Sequence, residues 1–179
     1  MVLSSIKQVY NQMPAGIKRF AKKALLLFVL WMVLYSFVMQ PLRVPDKWIT
    51  TTTANVTVTA LNKLYKPGFS VVEAKHFVNN HFTFGSQILY GTEHTLFVAD
   101  SCNAFDLCVL YISFFVCLPT TKKRMFLFSV FGIAALFLLN VARCFGLAWL
   151  SLNRPSWVDF AHHYLFTLVV YTCLFTAWV

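Results

Sequence analysis

One cysteine, one arginine and a pair of histidines stand out in this chain, because each lies near the end of a long apolar stretch. Cys102 precedes one such stretch, Arg143 lies near the end of the next, and His162 and His163 begin the last. A thiolate is a strong nucleophile, and a neighbouring cation favours it over the thiol. Histidine can accept the thiol proton and later protonate a leaving amine, whereas arginine stays protonated and stabilises negative charge or holds a carbonyl. These residue types predict attack by a cysteine on a carbonyl carbon.

Arg143 is the hardest of these residues to explain by packing alone. It follows 18 uncharged residues, 125–142, and the sequence remains apolar after it. An arginine inside a membrane span costs about 2.5–3.5 kcal/mol on insertion scales, and less when it snorkels to the surface. Arg143 therefore indicates a polar cavity or partner, with snorkelling as the alternative. Taken alone, Cys102 is equally well explained as an ordinary interfacial cysteine. The histidine pair, taken alone, is better explained as marking the membrane interface than as catalytic.

Three polar neighbours are predicted to support the site. Asn140 lies three positions before Arg143, on the same helical face, where it would orient the guanidinium or donate to a substrate. Asp106 lies four positions after Cys102 and would orient a histidine or pair with Arg143, and a structural ion pair between two helices is the favoured interpretation. Asn103, which directly follows the cysteine, completes this group.

The composition indicates that membrane helices position these residues. Apolar residues make up 59% of the 179 residues, charged residues only 12%, and there are 19 Phe. Soluble domains carry roughly 25% charged residues. The pattern predicts a single membrane domain of mainly α structure, with an interfacial N-terminus (1–23) and about four transmembrane helices at 24–42, 103–120, 125–150 and 160–179. A surface helix over residues 1–20 is also expected.

The basic residues predict the orientation of these helices. Eight of the 15 Lys and Arg residues form two clusters beside apolar stretches, at 7–23 and 122–124. Positive residues stay on the cytoplasmic side, so the N-terminus and the 119–124 turn are predicted to lie inside. Cys102, Arg143 and the histidines then fall at similar depth in the outer leaflet. Since no nucleic-acid-binding module accompanies the net charge of +9, we expect no nucleic-acid partner.

The outer segment, 43–101, is the one extended region without a membrane helix. It is predicted to hold a helix from Asp46 to Tyr65 and a β-hairpin with strands at 70–78 and 86–99, the second leading to Cys102. The five cysteines include no CxxC pair, so we expect neither a disulfide framework nor a metal site, and no cofactor.

Three short motifs resemble the exosortase/archaeosortase family of membrane cysteine transpeptidases. They are Ser101-Cys102-Asn103-Ala104, Asn140-Val141-Ala142-Arg143 and His162-His163-Tyr164-Leu165-Phe166-Thr167. Their order, spacing and shared outer placement over roughly residues 86–179 carry the resemblance, and the length is similar to the compact four-span branch. Two features depart from the family pattern. Ala104 stands where the family commonly has glycine, and the doubled histidine leaves His163 as an alternative to the preferred base, His162.

The resemblance implies an enzyme of the bacterial cytoplasmic (inner) membrane whose active site faces outward. Cys102, Arg143 and a histidine would cleave the C-terminal sorting signal of membrane-anchored exported proteins. The signal consists of a short motif, one transmembrane helix and a basic tail, and the cleaved protein would pass as a thioester to a cell-surface acceptor.

Two other functions are compatible with the same residues. A membrane assembly or scaffold protein would use Asp106 and Arg143 only for helix packing. A thiol–disulfide oxidoreductase would need a reactive pair, for which only Cys102 and Cys108, six positions apart, are candidates.

Overall fold

The computed structural model describes residues 14–78, 81–118 and 121–178, and the described chain is mainly helical. Five longer helices and three strands carry the fold. In chain order they are α1 (Ala15–Leu34), α2 (Asp46–Leu64), β1 (Phe69–Val78), β2 (His81–Tyr90), β3 (Glu93–Ala99), α3 (Phe105–Cys117), α4 (Lys122–Asn153) and α5 (Phe166–Trp178). Short helical turns extend several of them, at Tyr35–Met39 and Gln40–Leu42 after α1, Asp100–Cys102 before α3, and Pro155–Trp157, Val158–Phe160 and Ala161–Leu165 before α5.

Two helical runs, Ala15–Met39 and Lys122–Asn153, are long and apolar enough to span a membrane by length and composition. They correspond to the predicted first and third spans. The predicted second span differs, because α3 has only 13 residues and is roughly 20 Å long at 1.5 Å per residue. The predicted fourth span corresponds to a helical run without a break from Val158 to Trp178. The four-span arrangement therefore stays a prediction.

The N-terminal helix begins earlier than the first predicted span. Residues 1–13, which hold most of the expected surface helix, lie outside the described part of the chain. From Ala15 onward the chain belongs to α1, which continues into the apolar stretch without a break.

The helix predicted from Asp46 is confirmed despite its run of threonines. Its buried residues recur at helical spacing, as Thr50, Thr53, Ala54, Thr57, Val58 and Leu61. The Thr57 hydroxyl donates to the carbonyl of Thr53 at 2.8 Å, so that this buried hydroxyl is satisfied inside the helix. Burial of one face outweighs the low helix propensity of threonine.

The predicted β-hairpin is wrong in one respect, since the segment forms a three-stranded antiparallel sheet in the order β1-β2-β3. The strand predicted over 86–99 is two strands, and Gly91, with a φ of 61°, permits the reversal between Tyr90 and Glu93. Of the residues between the two predicted strands, 81–85 belong to β2, which begins at His81. The sheet therefore has one strand more than predicted.

The main apolar core lies where α2 and α4 cover one face of this sheet. Leu61 of α2, Ile88 of β2, Val98 of β3 and Ala148 of α4 are buried there together. Because β3 is anchored in this core, the turn that follows it has a fixed position beside α4. That turn carries Cys102.

A close crossing of α3 and α4 fixes the other side of the site. Tyr111 of α3 lies against Gly132 of α4, and its hydroxyl donates to the carbonyl of Phe128 at 3.2 Å. A Cβ atom at position 132 would overlap the Tyr111 ring, which is 3% exposed and has little room to move. Gly132 thus permits the approach of the two helices.

This crossing makes a stability prediction. We expect Gly132→Ala to lower the free energy of unfolding by about 1–3 kcal/mol, the usual cost of overpacking a core. Gly16→Ala is the matched control, because a Cβ there meets nothing within 4 Å. The control should leave the free energy of unfolding unchanged or raise it by up to about 1 kcal/mol. Denaturant unfolding in detergent measures both, and equal effects of the two substitutions would contradict the crossing.

Candidate active site

Cys102 lies beside a small cavity that α3, α4 and α5 enclose. The cavity has a volume of about 210 Å³. Its lining residues are Ser101, Cys102, Ala104, Asp106, Leu107, Leu136, Asn140, Arg143, Phe166 and Tyr171. Four of the seven sequence-predicted site residues line this cavity: Cys102, Asp106, Asn140 and Arg143. Asn103 lines a different, apolar cavity.

Two buried donors at this cavity have no partner. Asn140 is 3% exposed, and its Nδ2 atom makes no hydrogen bond to any described residue. The buried Nε atom of Arg143 likewise makes no hydrogen bond to any described residue. Unsatisfied buried donors are rare, since each costs about 1–3 kcal/mol. Both residues line the cavity beside the Cys102 thiol, which makes them candidate donors to a bound acceptor atom such as a carbonyl oxygen.

The predicted contact between Asn140 and Arg143 is not formed. Neither the Asn140 Nδ2 nor the Arg143 Nε atom has a hydrogen-bond partner among the described residues, although both side chains line the same cavity. Asn140 therefore does not orient the guanidinium through either atom. Of its two predicted roles, donation to a ligand is the one this geometry favours.

Asp106 also lines the cavity, but the predicted ion pair with Arg143 is absent. The three ion pairs among the described residues involve other side chains, and Asp106 makes no hydrogen bond there either. The structural reason is exposure. Asp106 lies in the first turn of α3 on its open side, where it also borders a second, apolar groove. The interpretation of Asp106 as a buried structural ion pair is wrong.

The histidines lie outside the set of described residues that line the cavity. His162 is half-buried, His163 is exposed, and their ring centroids are 4.9 Å apart. Both histidines occupy a π-helical turn, Ala161–Leu165. Such turns are rare and occur frequently at functional sites.

Asn103 fixes the turn that carries Cys102. Its side chain points to α2, where Nδ2 donates to Asp46 Oδ1 at 2.9 Å and approaches Thr50 Oγ1 at 3.4 Å. Its Oδ1 accepts from the backbone N–H of Phe105 at 2.9 Å. Asn103 supports the site by holding the backbone, and its side chain does not contact the cavity.

Ala104 has a left-handed backbone conformation, with a φ of 64° and a ψ of 12°. This region costs a residue with a Cβ roughly 1–2 kcal/mol, whereas glycine adopts it freely. Ala104 is the residue that stands where the resembled family commonly has glycine. The departure from the family pattern therefore has a steric consequence, because the methyl group of Ala104, which glycine lacks, lies in the wall of the cavity.

Arg43, which directly follows the first predicted span, holds together two carboxylates in a cluster that the sequence did not predict. Its Nε and Nη2 atoms donate to Asp100 Oδ2 at 3.1 and 2.8 Å, and Nη1 donates to Glu73 Oε1 at 3.3 Å. The guanidinium also lies 4.0 Å from the Phe84 ring centroid. Arg43 thus ties the end of the first helical run to the sheet and to the turn that ends in Cys102. The only signal in the sequence for this cluster was that Asp100 lies close to Cys102 along the chain.

Lys47 joins Arg43 in binding the exposed carboxylate of Glu73. The hydrogen bond and charge of Lys47, whose Nζ lies 3.1 Å from Glu73 Oε2, lower the pKa of the Glu73 carboxyl, and Arg43 adds to the effect. A carboxyl with a lowered folded-state pKa contributes its stabilisation above its unfolded pKa and loses it as the pH falls. Because Glu73 is exposed, solvent screens this contribution.

Comparison with protein-family models, with curated protein sequences and with solved structures gives no match. The cavity and its residues are therefore interpreted from their own geometry and chemistry.

Proposed function

We propose that this chain is a membrane-embedded cysteine peptidase and transpeptidase of the exosortase type. It would cleave C-terminal sorting signals of membrane-anchored exported proteins through a thioester on Cys102, and so aid the sorting of proteins to the cell surface. The observation that carries the proposal is the cavity that Cys102 shares with Asn140 and Arg143, each of which has a buried donor without a hydrogen-bond partner among the described residues.

In the proposed reaction the Cys102 thiolate attacks the carbonyl carbon of the scissile peptide bond. Arg143 and Asn140 donate to the oxyanion that forms, which is where such donors contribute most. His162 accepts the thiol proton and returns it to the leaving amine as the C–N bond breaks. His162 lies outside the described lining of the cavity, and catalytic hydrogen bonds are often completed only when substrate is bound. His163 is the alternative base.

The thioester is then resolved by a second nucleophile. Water or an amine attacks the same carbonyl carbon, the C–S bond breaks, and the Cys102 thiolate is regenerated. Attack by water gives a peptidase, whereas attack by an amine on the cell surface gives a transpeptidase. The reaction needs no cofactor, because no oxidation or reduction takes place.

Trapping of the intermediate tests this proposal. The full chain is co-expressed with a membrane-anchored protein that carries a C-terminal sorting signal, and adducts are analysed by mass spectrometry. We expect a covalent adduct on Cys102 that hydroxylamine releases, as it does thioesters. An intact substrate with no adduct on Cys102, in cells where both proteins are present in the membrane, would contradict the function.

The proposed location is the bacterial cytoplasmic membrane, with the N-terminus inside and the Cys102 cavity facing outward. Basic residues support this orientation, since Lys22 and Lys23 lie in the half of α1 that contacts α3 near Phe114, away from Cys102, and a second basic cluster begins α4. We expect an impermeant thiol reagent to label Cys102 in intact cells. Labelling of Cys102 only in permeabilised cells would contradict this orientation and indicate that the cavity faces the cytoplasm.

A further inference from the structure

The strands β1 and β2 form a hairpin that runs back along α2. At the beginning of β1, the backbone N–H of Phe69 donates to Asn62 Oδ1 at 2.9 Å, close to the end of α2. Further along the strand, Glu73 Oε2 lies 3.1 Å from Lys47 Nζ, at the beginning of α2. β1 is therefore antiparallel to α2, and the hairpin continues past the residue at which α2 begins.

The beginning of α2 is the end that faces the bilayer. Asp46, the first residue of α2, accepts a hydrogen bond at 3.2 Å from the hydroxyl of Tyr35, which lies in the apolar run Ala15–Met39. The end of α2 lies instead beside the end of α4, where Asn153 Nδ2 donates to the Tyr65 hydroxyl at 2.9 Å. With 32 residues α4 is roughly 48 Å long, against about 30 Å for a hydrocarbon core, which leaves length for its last turns to project from the bilayer. The hairpin, which runs from the end of α2 toward its beginning, therefore runs toward the bilayer.

Arg43 gives the level at which the hairpin meets the bilayer surface. It follows the apolar run of α1, and its guanidinium lies 4.0 Å from the ring centroid of Phe84 in β2. Phe84 pairs with Lys75 of β1, and the next pair on the same face of the sheet is Phe77 with Phe82. Two residues of a strand correspond to roughly 7 Å. Phe77 and Phe82 therefore lie on the bilayer side of Arg43.

Phe77 and Phe82 form an exposed apolar pair. They are 62% and 59% exposed, and their ring centroids are 5.0 Å apart. The Lys75 Nζ atom lies 3.8 Å from the Phe82 ring centroid and takes no part in the three ion pairs among the described residues. Phe37 and Leu42, near the end of the first helical run, are 79% and 67% exposed. An apolar pair with an adjacent ammonium group thus lies at the same end of the fold as an apolar helix surface that faces lipid.

We propose that the hairpin inserts Phe77 and Phe82 into the lipid leaflet at the Arg43 end of α1, with Lys75 at the lipid phosphate groups. Aromatic rings concentrate at this depth of a membrane, and a lysine there extends its stem along apolar groups while its ammonium stays among the headgroups. The Lys75 charge complements phosphate, which a second apolar protein surface does not offer. The sheet is then held to the bilayer at two places, by the helical run that ends before Arg43 and by the hairpin.

The pairing of the strands limits how deeply the hairpin inserts. β3 pairs with residues 85–90 of β2, so the residues of β2 before Gly85 have β1 as their only strand partner in the described sheet. Backbone groups on the two outer edges cannot be left unpaired in the hydrocarbon core. The two rings therefore enter the leaflet just below the headgroups, and the backbone stays at headgroup level. This anchoring concerns lipid alone and does not depend on the proposed peptidase.

Photo-crosslinking to lipid tests the proposal. The full chain is reconstituted in liposomes of phosphatidylcholine and phosphatidylglycerol, with a benzophenone amino acid in place of Phe77. The same amino acid in place of Phe37 gives the signal of a helix position that faces lipid. In place of Leu64, which is 78% exposed at the far end of α2, it gives the signal of a position away from the bilayer. Mass spectrometry identifies what is attached.

We expect the lipid adduct at position 77 to exceed that at position 64 by at least about fivefold and to lie within about twofold of that at position 37. Phe82→Asp should lower the adduct at position 77 by about fivefold, because a carboxylate beside it opposes insertion. Val72→Asp is the matched control, since Val72 is exposed on the opposite face of β1, and it should leave the adduct unchanged.

A lipid adduct at position 77 no larger than that at position 64 would overturn the proposal. So would an adduct with a second copy of the chain in place of lipid, which would indicate a protein interface. Equal losses in Phe82→Asp and Val72→Asp would attribute the effect to the sheet as a whole and would also overturn it.

Discussion

Cys102→Ala is expected to abolish cleavage of a co-expressed membrane-anchored substrate, by a factor of at least about 10³, because the chain loses its nucleophile. Cys108→Ala is the matched control. Cys108 lies in α3, just after the turn that carries Cys102, but it borders a separate apolar cavity that α2, α3 and α4 line and not the cavity of Cys102. The measurement is the mobility shift of the substrate on cleavage, in cells that express equal amounts of each variant.

Each pattern of results has a distinct meaning. Loss in Cys102→Ala alone supports a cysteine peptidase. Loss in both variants indicates a relay of two thiols, as in a thiol–disulfide oxidoreductase. Equal cleavage in both variants and in the unsubstituted chain removes the catalytic role, and a membrane assembly protein then remains.

Arg143→Lys is expected to lower the rate of cleavage by about 10²–10³, the range typical of losing one oxyanion donor. Lysine keeps the positive charge, but it lacks the planar fork of donors to which the unpaired Arg143 Nε atom belongs. The substitution therefore separates directed donation from charge alone. Asn140→Ala should lower the rate in the same direction, since it removes the second unpaired donor.

Arg154→Lys is the matched control for this experiment. Arg154 lies at the end of the same helix, is exposed, and lines none of the described cavities. We expect it to leave the rate of cleavage unchanged. If Arg143→Lys is as active as Arg154→Lys, Arg143 contributes only charge, and the assignment of Arg143 as an oxyanion donor is wrong. Single-turnover rates in detergent distinguish a slower chemical step from weaker binding.

The nature of the site residues was readable from the sequence, but their contacts were not. Arg143 was conspicuous because it interrupts an apolar run, and the structure places it with Cys102 and Asn140 in one cavity. The sequence also favoured an ion pair between Arg143 and Asp106, which is absent. Spacing along two helices states which residues share a face, whereas the rotation of one helix relative to another decides whether two side chains meet.

The elements of the fold show the same division. The apolar runs predicted the helices that are long enough to span a membrane, because this signal is local. The helix α2 was predicted against its run of threonines, and the burial of one face from Thr50 to Leu61 became visible only in the structure. The third strand escaped prediction, since a two-residue turn at Gly91 is a weak signal inside a long apolar β pattern.

The sequence by itself determined a mainly helical, strongly apolar chain in which a thiol, a guanidinium and two imidazoles lie near the ends of apolar stretches. Only the tertiary structure decided that Arg43 reaches Asp100, that two buried donors remain unpaired beside Cys102, and that Asp106 links the cavity to a groove. The physical reason is range. Hydrophobic periodicity acts over a few residues, whereas ion pairs, cavities and unsatisfied donors depend on segments that are distant in sequence and adjacent only after packing.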